Sequence, residues 1–222
     1  LKIRIVKLGQ SNGKEVAPVK RRLMALACTL GVCAALALPA GAAYADVAPG
    51  SWYEAAVNQV TEQGYMEGVS DTQFAPDAYV TRATVVTVLW RMEGSPLPAA
   101  TVSFGDVNPS AWYGQAAAWA KENGIANGDT RGDFKPEQFV TRQELAAFLT
   151  RYDAYRGSEL AEGTLGLYSD AGEISAWAEE SMAHAVGMGL LEGSGGKLSP
   201  TASATRAQLA VILQRLTTQA VG

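Results

Sequence analysis

Three arginines stand where a helix ordinarily avoids them. Arg82, Arg142 and Arg206 each follow a threonine (Thr81, Thr141, Thr205) that reads as a helix N-cap before an apolar-periodic run. The first turn of a helix is the positive end of its macrodipole, so a cation there is disfavoured by about 0.3–1 kcal/mol. A carboxylate beside each arginine would reverse the sign, accepting a bidentate guanidinium pair and the free N–H groups of the first turn. The competing reading is internal: each arginine pairs with an acid of its own unit, Asp46, Asp106 or Asp170. Trp52, Trp112 and Trp177 each start an earlier helix, where an indole face either stacks on a sugar ring or fills core. The three aspartates either accept ligand hydroxyls or cap that same helix, and capping is the favoured role. Gly68, Gly128 and Gly193 satisfy a turn, and a backbone without Cβ there would also admit a ligand closely.

Little else in the chain can do chemistry. His184 is the one histidine and has no metal-ligand spacing around it, so it reads as an ordinary helix-face residue. No nucleophile elbow, phosphate loop or dinucleotide fingerprint occurs. Glu179-Glu180 and the pair Asp129 and Asp133 read as solvated acids rather than as a glycosidase or calcium pair. The tripeptide Arg131-Gly132-Asp133 falls inside a turn that the repeat pattern explains. Neither an enzyme nor a cofactor is expected.

The elements that carry these residues come three times. A shift of 60 residues aligns Tyr44–Met92 with Phe104–Tyr152 without a gap and with 16 identities in 49 positions. Composition alone gives roughly one in fifteen to twenty. A third copy runs through Tyr168, Asp170, Trp177, Gly189, Gly193, Leu198, Pro200, Thr205, Arg206 and Arg215, displaced by 64 or 65 residues. In each copy a first helix places an apolar stripe, such as Tyr53, Ala56, Val57 and Val60, on one face. Gly64, Gly124 and Gly189 stop it as left-handed caps. A loop follows with a buried Phe74, Phe134 or Leu198 and a proline two residues later. The second helix then buries Val85, Val86 and Leu89; Leu145, Ala146 and Leu149; or Leu209, Ala210, Leu213 and Leu216. Thr141 with Glu144 and Thr205 with Gln208 form capping boxes, and Thr84 takes that place in copy one. One helix pair is too small to bury its own stripe, so the expected fold is all-α: three helix-loop-helix repeats assembled as a pseudo-threefold, three-lobed domain.

The front end differs. Lys20, Arg21 and Arg22 lead into an apolar run over 23–38 that holds Cys28 and Cys33, and small residues follow. This predicts a secretory signal peptide within a leader over 1–42, cut after Ala42 or Ala45. Ala42 is favoured because the later cut would remove Tyr44, the counterpart of Phe104 and Tyr168. The run is too short to favour a membrane span. The leader holds 7 of the 18 basic and 1 of the 22 acidic residues, so the mature part carries 11 against 21. Such a surface repels nucleic acid and anionic membrane. The expected units are repeat 1 over 43–94, a linker over 95–103, repeat 2 over 104–152, a linker over 153–167, repeat 3 over 168–216 and a tail over 217–222.

The ordered string Phe-x-Asp-Val, Trp-Tyr, Gly-Ile-x-x-Gly, Phe-x-Pro and Thr-Arg-x-Glu, intact over Phe104–Glu144, resembles the S-layer homology domain. The resemblance covers residues 44–216. It implies a secreted, cell-wall or S-layer-associated protein that binds a secondary cell-wall polymer attached to peptidoglycan, often one bearing ketal-linked pyruvate, whose carboxylate would suit Arg82, Arg142 and Arg206. An envelope protein partner, or the anchoring part of a longer surface enzyme, is the alternative. Copy three departs by Ala171, Ala178 and Gly195-Gly196. Its groove is expected to be the weak one.

Overall fold

The computed structural model describes residues 44–99 and 104–219. The expected leader with its apolar run and both cysteines lies outside the described residues, as do parts of the linker over 95–103 and of the tail. Six α-helices follow in order: α1 (Glu54–Glu62), α2 (Arg82–Met92), α3 (Gly114–Glu122), α4 (Arg142–Tyr155), α5 (Glu179–Gly187) and α6 (Arg206–Gln219). Three single 3-10 turns (Leu165–Leu167, Ala171–Glu173, Ala176–Ala178) precede α5. Among the described residues the extended backbone forms only isolated bridges, and no helix is long and apolar enough to cross a membrane.

Local chemistry sets the helix ends. Thr81, Thr141 and Thr205 each accept the N–H of the residue three further on, and Glu144 and Gln208 return a bond to the threonine backbone. Gly64, Gly124 and Gly189 adopt φ of 71°, 69° and 63°, the left-handed stop the sequence predicts. The predicted stripes of α2, α4 and α6 are buried, as are Ala56, Val57 and Val60 of α1 and Phe74, Phe134 and Leu198, while Tyr53 is half-buried at the cap of α1.

The two helices of a repeat, however, are not each other's partners. α2 packs on α3, α4 on α5 and α6 on α1, so every lobe joins the second helix of one repeat to the first helix of the next. The last lobe spans the chain: Gln59 donates to Thr217 across 158 residues. α4 extends into the segment read as a linker, where Tyr155 sets its ring edge against Trp119 at 5.5 Å and Asp153 reaches His184. That histidine is no surface residue. It is fully buried, accepts the Ala161 N–H at 2.9 Å through Nδ1 and meets the Asp153 carboxylate at 2.9 Å through Nε2, fastening the 156–164 segment to α5.

Backbone bonds weld the repeats in the same cyclic order. The Val140 N–H donates to Val80, the Ala204 N–H to Val140 and the Val80 N–H to Ala204, a three-membered ring closed at 2.8–3.0 Å. The helix N-termini then dock on the loop of the following repeat. Arg82 and Ala83 donate their N–H groups to the carbonyls of Gln138 and Pro136, Arg142 and Gln143 to Ala202 and Pro200, and Arg206 and Ala207 to Ala78 and Pro76. These donors are orphans of the first helical turn. With the threonine cap on the third, none of them is free.

Phe134 sits at the middle of such a joint, stacked on Phe104 at 5.0 Å and lying under the Arg82 guanidinium at 5.1 Å. Replacement Phe134→Ala opens a cavity in a fully buried site and is expected to cost about 3–5 kcal/mol, read as a lowered urea midpoint with an unchanged slope.

Candidate functional site

The three aspartates do not cap the first helix. Asp46 accepts the N–H groups of Phe74 and Ala75 at 2.8 and 2.7 Å, Asp106 those of Phe134 and Lys135, and Asp170 those of Leu198 and Ser199 with the same distances. Tyr53 and Tyr113 occupy the cap positions with no side-chain bond. The reason for the difference is the loop. Ala75, Lys135 and Ser199 are held at φ of 57°, 56° and 51°, a left-handed conformation that costs a residue with a Cβ, and a bidentate carboxylate grips the N–H of that residue and of the one before it to keep it there.

The clamped loop presents its carbonyls to the arginine of the preceding repeat. Arg82 Nε donates to Phe134 at 2.6 Å, Arg142 Nε to Leu198 at 2.6 Å and Arg206 Nε to Phe74 at 2.8 Å. Arg142 also donates to the Glu192 carbonyl and Arg206 to that of Glu67. Neither sequence reading of these arginines survives unchanged. They make no ion pair with the aspartate of their own unit, whose oxygens are engaged on the loop, and the first-turn N–H groups meant for a ligand carboxylate are already bonded. Burial pushes all three guanidinium groups below the usual arginine range. The chief opposing influence is Glu144 at Arg82, Asp170 at Arg142, and Tyr44 with Asp46 at Arg206.

The tryptophans resolve the other way. Trp52, Trp112 and Trp177 are 65%, 62% and 58% exposed, so the core reading fails for each. The Trp52 and Trp112 indoles stand edge-on to Tyr53 and Tyr113 at 5.2 Å, which fixes the orientation of their faces. Gly68 and Gly193 serve packing within the loop. A Cβ on Gly193 would lie 2.5 Å from the Tyr168 ring, and one on Gly68 would lie 2.5 Å from the Ser70 carbonyl. Tyr44 supports the first of these loops by accepting the Gly68 N–H through its hydroxyl.

Two clefts gather these residues, and each draws on all three repeats. A cleft of about 540 Å³ is lined by Gly193 and the loop and second helix of repeat 3, by Arg142 of repeat 2 and by Trp52 of repeat 1. A second, of about 260 Å³, joins Gly68 and α2 of repeat 1, Arg206 of repeat 3 and Trp112 of repeat 2. Copy three therefore contributes the loop of the larger of these two clefts. Its Ala178 bears instead on Trp177, which has no tyrosine beside it. By the same cyclic logic Trp177 and Arg82 belong with Gly128, where Phe148 lies 5.1 Å from the guanidinium and Glu144 replaces Thr84 or Gln208.

Sequence reasoning missed the second basic residue of each cleft. Arg215 lines the first and pairs with Glu192 at 2.7 Å, and Arg91 lines the second and pairs with Glu67 at 3.4 Å. Their signal was present, since Arg91, Arg151 and Arg215 recur in register. Lys197 adds a further cation to the larger cleft. The clefts are thus local positive sites on an acidic protein, each with an exposed indole at its edge. Among the described residues no cluster of His, Cys, Asp or Glu could hold a metal ion.

Burial pushes the Asp46 and Asp170 carboxyls up, but the amides they accept outweigh it and hold both below the usual carboxylate range. A depressed folded pKa gives stability that is complete above the unfolded value of about 3.9 and is lost as pH falls through the folded value. The urea midpoint is expected to hold between pH 7 and 5 and to decline below about pH 4. Asp170→Asn is expected to start lower at pH 7 and to decline less over that range.

The S-layer homology domain profile matches residues 43–86, 103–146 and 167–210. The surface-layer 125 kDa protein of Lysinibacillus sphaericus is 34% identical over 165 residues, 72% of this chain and 14% of the relative. The S-layer protein of Bacillus licheniformis is 30% identical over 189 residues, 84% of this chain and 21% of the relative. An endoglucanase of Bacillus sp. (strain KSM-635) is 31% identical over 175 residues, 78% of this chain and 18% of the relative. The chain thus spans about a fifth or less of these curated relatives.

Proposed function

The chain belongs to the S-layer homology domain family, and from that premise we propose that it anchors its bearer non-covalently to the bacterial cell envelope by gripping an anionic secondary wall polymer in the clefts between repeats. The observation that carries the reading is the composition of each cleft: an indole more than half exposed, two arginines and a loop glycine, brought together from three separate repeats. An indole face attracts the C–H face of a sugar ring, and buried or half-buried guanidinium groups recognise a carboxylate with less loss to solvent than exposed ones. A pyruvate ketal supplies both the ring and the carboxylate. Arg142 and Arg206 keep N–H groups beyond those spent on loop carbonyls, because a guanidinium has five.

The cell surface is the place this reading assigns, in keeping with the S-layer relatives. The endoglucanase relative, of which this chain matches under a fifth, favours a second reading of the bearer as a longer surface enzyme. The two readings share the same anchor.

The test is cosedimentation of residues 43–222 with purified sacculi, before and after removal of the secondary polymer. Binding is expected only with the polymer present. Trp52→Ala is expected to weaken it by about tenfold, the upper end of what one aromatic contact supplies, with no change in the unfolding midpoint because the side chain is exposed. Arg142→Ala is expected to lower both, since that arginine also joins two repeats. Equal binding to stripped sacculi would sink the reading and favour a protein partner.

A further inference from the structure

Outside the clefts, the described residues include an exposed aromatic pair that neither core packing nor helix capping explains. Tyr79 and Phe139 are each 53% exposed, and their rings meet at 5.6 Å with an angle of 63°. They occupy the same position in repeats 1 and 2, one residue before Val80 and Val140 of the closed backbone ring. The third such position is Ser203, before Ala204. The bridges Tyr79 to Thr205, Thr81 to Phe139 and Thr141 to Ser203 hold the three extended segments side by side. Two of the three positions thus carry a large ring facing solvent and the third carries a hydroxymethyl.

Ser203 is also a wall of the larger cleft, beside Ala202, Arg142 and Trp52. Ser203, the smallest of the three side chains, thus belongs both to the bridged segments that carry the aromatic corner and to the wall of the cleft. A bulky residue at 203 would stand between them, and serine does not. Resting on the anchoring reading above, we propose that Tyr79 and Phe139 form an additional sugar subsite, where the apolar face of a pyranose of the same wall polymer lies as the chain leaves the Trp52–Arg142 cleft past Ser203.

The size and shape of the feature select this occupant. Two half-exposed rings offer on the order of 200 Å², about a quarter of the ~800 Å² that each side of a stable protein interface buries. One or two sugar rings cover such an area. The negative faces of the rings suit polarised sugar C–H groups, while the Tyr79 and Ser203 hydroxyls can meet the equatorial edge. Tyr79, Phe139 and Ser203 themselves carry no ionic group. The corner would hold a neutral sugar beside the anionic one in the cleft, and so reads the polymer as a chain rather than as single residues.

The experiment compares wild type, Tyr79→Ala/Phe139→Ala, Ser203→Phe and Trp52→Ala by titration calorimetry against two probes: secondary polymer released from sacculi as long chains, and its single repeating unit. Unchanged unfolding midpoints check that the exposed substitutions leave the fold intact. The proposal expects the double variant to lose about fivefold to tenfold in affinity for long chains while keeping its affinity for the single unit. Ser203→Phe and Trp52→Ala, which both alter the cleft itself, should lose affinity for both probes. Wild-type affinity of the double variant for long chains would overturn the subsite and leave the anchoring reading standing. A double variant that binds both probes normally but changes the sedimentation coefficient would reassign the corner to self-association. Failure of the wild type to bind either probe would remove both.

Discussion

Everything in this domain depends on one repeated joint, in which the N-terminus of a second helix docks on the carbonyls of the next repeat's clamped loop. An aspartate fixes a left-handed residue, the fixed loop aims its carbonyls, and the following helix spends two orphan N–H groups and an arginine on them. The positive end of a helix dipole thereby meets partial negative charge at three places without any ion pair. The hydrophobic core follows from the joint, because it is the joint that brings α2 to α3, α4 to α5 and α6 to α1.

The same joint explains why the arginine has two duties. In Arg206 the Nε belongs to the fold, the position over Phe74 belongs to packing, and the side chain also lines a cleft. A cation at the first helical position costs little here because carbonyls surround it. The clefts in turn exist only between repeats. Each takes a loop from one repeat, an arginine from the one before and a tryptophan from the one after, so a single repeat carries all the residue types of a site and none of its geometry.

That separation marks how far the sequence could be read. The starts of the second helices, threonine caps, glycine stops and the buried Phe74, Phe134 and Leu198 follow from local periodicity and were legible, while the end of α4 at Tyr155 was not. Partnership between helices was not, since the stripe on α1 fits α2 and α6 equally well on paper and only the cyclic joint decides. The roles of Asp46, Asp106 and Asp170 were misread for the same reason: their targets lie 28 and 29 residues away, beyond any capping rule. The tryptophans were legible as candidates, but exposure decides between stacking and core, and no spacing rule reports exposure. The Ala178 departure of copy three was visible, yet it lies beside Trp177, whose place is with the loop of another repeat, which a repeat-by-repeat reading cannot assign.

The contact between α1 and α6 also sets an order of events for a chain made or exported from its N-terminus. Ala56, Val57 and Val60 emerge first and find their partner last, when the final helix arrives more than 150 residues later. Long-range closure of this kind is slow relative to local helix formation. Until it happens, an apolar stripe and the half-built Trp52 cleft remain open together. The larger of the two clefts is therefore not complete until α6 is delivered, because Arg215 and Ile212 of that helix are part of its wall.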